Sequence, residues 1–97
     1  MGIQVLSADP ILMMNKFRKN KEYGIHVLCK NNLRSECVIK YNWVERNLED
    51  GICIEGEENY TRIEKNHHIT QNRKSGIKVM DGASAKILNN QIFNNYA

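Results

Sequence analysis

Apolar residues alternate with polar ones in short bursts along this chain, and the bursts recur. Gly2-Ile3-Gln4-Val5, Gly24-Ile25-His26-Val27, Gly51-Ile52-Cys53-Ile54 and Gly76-Ile77-Lys78-Val79 repeat one pattern with a period in the mid twenties. Two further apolar columns keep step with it: Leu12, Ile39, Ile63 and Ile87, then Phe17, Val44, Ile69 and Ile92. Alternation with period two, rich in β-branched residues and punctuated every few positions, predicts strands, because the spacing that would line one face of a helix is not sustained. Each unit reads as three short strands separated by turns. Self-similarity at this period marks a solenoid. The expected architecture is therefore an all-β parallel β-helix of about four coils, over residues 1–20, 21–47, 48–72 and 73–97.

Two asparagine series share the register, Asn15, Asn42, Asn66 and Asn90, and Asn20, Asn47, Asn72 and Asn95. Glycine adopts left-handed backbone freely and asparagine tolerates it, so both are expected at the corners between strands. Stacked asparagines are also expected to hydrogen-bond along the axis. The step from Asn66 to Asn72 is one residue longer than its counterparts, which predicts a bulge at His67-His68. Strand parity turns Ile and Val of Gly-Ile-x-Val inward and leaves Gln4, His26, Cys53 and Lys78 as an outward column. A single coil buries too little apolar surface to offset its backbone entropy, so stability must come from stacking. The chain starts directly in a strand and stops without a covering element, which reads as a fragment of a longer helix.

At 97 residues, 41% hydrophobic and 26% charged, the chain suits one folded unit rather than a disordered segment. The net charge of +3 is spread among interspersed charges, with Glu45, Glu49 and Asp50 breaking any continuous basic path, so nucleic acid is not the expected partner. The longest apolar stretch, Ile11 to Met14, is far short of the roughly 20 residues that cross a bilayer, and no membrane role is expected. Cys29, Cys37 and Cys53 form an odd set without a CxxC pair, pointing to neither a disulfide framework nor a zinc knuckle but to a reducing, intracellular compartment. Asn59-Tyr60-Thr61 matches the N-glycosylation acceptor pattern, which matters only in a secreted protein.

The run Asn42-Trp43-Val44-Glu45-Arg46-Asn47-Leu48-Glu49-Asp50-Gly51-Ile52-Cys53-Ile54, and Asn90-Gln91-Ile92-Phe93-Asn94-Asn95 after it, resembles the parallel β-helix repeats of carbohydrate-binding proteins and sugar hydrolases. Within that group the short regular coils look most like those of the β-helical F-box proteins and the SHC-binding spindle proteins. The resemblance covers nearly the whole chain and implies a right-handed helix. It places protein binding first, as substrate recognition in a ubiquitin ligase or as part of a cytoskeletal or ciliary structure, and carbohydrate binding or polysaccharide cleavage second.

Cleavage would need acids of adjacent coils in one column, and Asp9, Glu36 and Asp81 correspond only loosely, so no catalytic residue, metal or cofactor is expected. Glu55-Gly56-Glu57-Glu58 reads as a solvated turn. His26 and Cys53 fall on neighbouring strands close enough for contact, without the further groups a nucleophile requires. Cys37 falls on the inward parity and is expected in the core. The column after the first asparagines, Lys16, Trp43, His67 and Gln91, should project outward, with Arg18, Lys19 and Arg46 extending the same face. An exposed Trp43 there is suited to anchoring a protein or stacking on a sugar, or it simply packs against Lys16. An acidic protein segment would complement these cations.

Overall fold

The computed structural model describes residues 2–30 and 33–96. Each turn of chain contributes one strand to each of three parallel sheets. The first sheet stacks β1 (Ile3–Leu6), β4 (Ile25–Leu28), β7 (Ile52–Glu55) and β10 (Ile77–Met80). The second stacks β2 (Ile11–Met13), β5 (Val38–Lys40), β8 (Arg62–Glu64) and β11 (Lys86–Leu88). The third stacks β3 (Lys16–Arg18), β6 (Trp43–Glu45), β9 (His68–Thr70) and β12 (Ile92–Phe93). Among the described residues every regular element is a strand. This is the all-β solenoid of four coils that the repeat predicts, and the apolar columns pair residue for residue, Ile25 with Ile52, Leu12 with Ile39, and Ile39 in turn with Ile63.

The core is a stack of these columns: Ile25, Val27, Ile39, Val44, Ile52, Ile54, Ile63 and Ile69 are fully buried. Cys37 lies among them, as its parity requires. In the last coil the same inward positions, Val79, Ile87 and Ile92, are exposed because no strand lies beyond them here.

The corners depart from expectation. None of Gly2, Gly24, Gly51 and Gly76 has left-handed backbone, and neither do the stacked asparagines. The left-handed residue is the one before each asparagine: Met14, Tyr41, Lys65 and Asn89 in one corner, and Lys19, Arg46, Gln71 and Asn94 in the other, with φ from 54° to 58°. For residues other than glycine this costs roughly 1–2 kcal/mol each, and what offsets it is the asparagine that follows.

Each inner asparagine turns its amide into the solenoid and satisfies it completely. Asn42 Oδ1 accepts from the Asn15 backbone N–H and Nδ2, while Asn42 Nδ2 donates to Leu12 O and Asn66 Oδ1. Asn47 does the same with Asn20, Phe17 O and Asn72. Aspartate could not replace it, having no donor.

The glycines are required by crowding. A Cβ on Gly51 would lie 2.7 Å from both Asn72 Nδ2 and Gly76 O, and one on Gly24 would lie 2.8 Å from Asn47 Nδ2. Gly51→Ala is therefore expected to destabilise the chain by about 1–3 kcal/mol, the usual range for overpacking. Urea denaturation followed by circular dichroism reads the shift in midpoint.

Candidate binding face and a buried polar cluster

The third sheet carries the predicted outward column, with one correction. Lys16 pairs with Trp43, but Trp43 pairs with His68 rather than His67. His67 is the extra residue of the third coil, inserted between Asn66 and the strand, and it shifts His68 into the aromatic register. The imidazole of His68 stacks on the Trp43 indole with centroids 3.7 Å apart and planes 7° from parallel. Lys16 Nζ sits 5.0 Å from the indole centroid, from the neighbouring coil on the other side. Both faces of the indole are thus covered and its edge is what remains free. Its N–H donates to Glu45 Oε1.

Beside this column the corner between the second and third sheets opens as a groove of about 740 Å³, lined by Met13, Met14, Tyr41, Trp43, His67 and His68 together with Lys16. The left-handed backbone at Met14 and Tyr41 aims their side chains outward, so Met14 is 78% exposed and Tyr41 41%.

The other three predicted cations are not part of the groove. Arg18 and Arg46 lie at the far end of the strands, each 3.6 Å from the buried Glu45 carboxylate, and Arg46 also donates to Gln71 Oε1. Lys19 occupies the exposed left-handed corner beyond them. The structure therefore divides the six residues into Lys16, Trp43 and His67 at the groove and Arg18, Lys19 and Arg46 at the opposite edge.

The outer face of the first sheet differs more from expectation. Gln4, His26, Cys53 and Lys78 do pair in one column, yet only Gln4 and Lys78 are solvent-exposed. His26 is 8% and Cys53 0% exposed. Larger neighbours cover them: the Tyr23 ring packs 4.9 Å from the imidazole, and Met80 Sδ lies 4.0 Å from Cys53 Sγ. Glu55, two residues after Cys53 on the same strand face, reaches back to accept from His26 Nε2 at 2.9 Å, while Gln4 Nε2 donates to Nδ1 at 3.3 Å. Glu55 is thus not only a residue of the solvated turn. Ligand atoms of His26, Cys53 and Glu55 all lie within 4.8 Å of one another. Burial, reinforced by the Glu55 and Asp50 charges, pushes the Cys53 thiol up to about 11. A thiol held protonated in this way is a poor nucleophile. Parity alone locates the column; nothing in the repeat signals what closes over it.

The glycosylation pattern at Asn59 is not a usable acceptor in this fold. Asn59 is fully buried, with Nδ2 donating to Val27 O and Glu55 O.

No curated protein and no solved structure matches this chain. The sequence model of the right handed beta helix region matches residues 2–97, in agreement with the three parallel sheets. The chain belongs to the right-handed β-helix family.

Proposed function

We propose that this chain is a noncatalytic β-helix module that binds a protein partner at the corner groove beside Trp43, within a larger assembly. The observation that carries this reading is the groove itself: Met13, Met14, Tyr41 and Trp43 are large apolar side chains left exposed side by side along the corner between two sheets. Methionines adapt to an incoming apolar side chain, and an aromatic edge beside them suits a hot spot. Lys16 at the rim and Lys40, 6.0 Å from the Tyr41 ring, favour acidic residues flanking that anchor. A sugar would need an open aromatic face, and the Trp43 faces are occupied by His68 and Lys16. The three cysteines are free and buried, which supports an intracellular setting.

Two settings fit a rigid display module: substrate recognition in a ubiquitin ligase, and a structural part of a cytoskeletal or ciliary complex. Affinity capture of the full-length protein from its own cells at physiological salt, followed by mass spectrometry, separates them by whether ligase subunits or cytoskeletal proteins are retained. Met14→Asp, at an exposed corner, should leave the fold intact and weaken the captured partner by about 30-fold, equivalent to roughly 2 kcal/mol at a hot spot. Retention of every partner by Met14→Asp would remove the groove from consideration. A polysaccharide that binds the wild type would establish the carbohydrate reading instead.

A further inference from the structure

The buried cluster on the first sheet offers a different chemistry from the groove and does not depend on it. We infer that His26, Cys53 and Glu55 form a binding site for a zinc-like divalent cation.

The three side chains come from two adjacent coils. His26 and Cys53 are register partners on β4 and β7, and Glu55 lies on the same face of β7 two residues on. Their ligand atoms already lie within 4.8 Å of one another, with His26 Nε2 and Glu55 Oε1 at 2.9 Å. Bond lengths at tetrahedral zinc place ligand atoms roughly 3.3–3.7 Å apart, so the site needs one pair to open slightly and the most distant pair to close by up to about 1.5 Å. Because the backbone positions are set by the parallel ladder, rotamer adjustment is enough. Imidazole nitrogen, thiolate and carboxylate are together the donor set of a borderline-soft ion, and a poor one for calcium or magnesium, which prefer oxygen.

Charge balance points the same way. With the thiol proton released to solvent, thiolate and carboxylate neutralise a divalent ion in a site where His26 and Cys53 have almost no water contact. Glu55, its side chain 27% exposed, leaves an entry path. The fourth position falls to water or to Met80 Sδ, which already touches Cys53 Sγ. Gln4 is the positioning residue. Its amide contacts His26 Nδ1, and a half-turn of that amide presents Oε1 to accept Nδ1–H once Nε2 ligates the metal.

Titrating the reduced, metal-free chain with Co²⁺ tests the site. The expected result is one equivalent bound, with a thiolate-to-cobalt charge-transfer band and the intense visible bands of tetrahedral cobalt, displaced by Zn²⁺. Cys53→Ser should abolish the charge-transfer band while Cys29→Ser keeps it, and Gln4→Ala should weaken binding by about 10- to 100-fold. Far-ultraviolet circular dichroism checks that each variant is folded. Should Cys53→Ser fail to fold, Glu55→Gln serves in its place and should weaken binding at least about tenfold, as loss of a ligand must cost no less than loss of its support. Absence of the band, its survival in Cys53→Ser, or unchanged affinity in Glu55→Gln overturns the site without bearing on the groove.

Discussion

Ile52→Asp is expected to unfold the solenoid at neutral pH. Ile52 is fully buried in β7, with Ile25 of the coil before and Ile77 of the coil after as its register partners. Removing a buried isoleucine side chain costs about 2–5 kcal/mol through lost transfer and the cavity left behind. An unpaired carboxylate in the same place adds several more, or forces water into the core. Against the 5–15 kcal/mol typical of a whole domain, the sum removes most or all of the stability. The strand signal in circular dichroism should be lost and the amides of β4 and β7 should exchange freely. Ile77→Asp, in contrast, should be tolerated far better, because Ile77 is only half-buried and has a partner on one side alone. Equal effects at the two positions would contradict the stacking order.

Asn72→Ala is expected to cost nearly as much, with little apolar surface involved. The Asn72 amide oxygen accepts from the Asn47 backbone N–H and from Asn47 Nδ2, and its Nδ2 donates to Val44 O and Asn95 Oδ1. Truncation leaves several buried polar groups of neighbouring coils without partners, at about 1–3 kcal/mol for each one that water cannot reach. A loss of roughly 3–5 kcal/mol follows, allowing for partial relaxation. It also removes what holds Gln71 in its left-handed conformation, so exchange should rise at that corner and at its stacked neighbours first. Asn20→Ala, at the outer end of the same ladder, should cost much less, since its amide is only partly buried and, among the described residues, donates to one asparagine without accepting from another. Denaturant midpoints of the two variants provide the comparison; similar values would mean that the ladder contributes little.

Much of the fold was legible in the spacing of particular residues. Leu12, Ile39 and Ile63 recur at one place in the repeat and stack in that order. The column of Gln4, His26, Cys53 and Lys78 likewise exists as read. The extra residue of the third coil is visible in the spacing, but two alignments compete there: counting from Asn66 puts His67 beside Trp43, whereas the column of Val44 and Ile69 puts His68 there, and the pairing decides for His68. The left-handed corners differ from local expectation for a physical reason. Local preference assigns them to glycine and asparagine, whereas the ladder hydrogen bonds hold asparagine inward and pass the unfavourable φ to Met14, Tyr41, Lys19 and Arg46.

The candidate sites divide along the same line. Strand parity is a property of the chain alone, so period-two alternation and the mid-twenties repeat are enough to say which residues share a column and which face it occupies. Whether a column is open or closed depends on side chains arriving from other coils and corners, and on how far each one reaches. Trp43 lies on an outward column and keeps only its edge free because Lys16 and His68 occupy its faces. Cys53 lies on another outward column and is sealed, with Met80 and Glu55 close around the thiol and Tyr23 over the neighbouring His26. Burial on an outer face is set by contacts between residues distant in sequence, and so it is decided only when the coils stack.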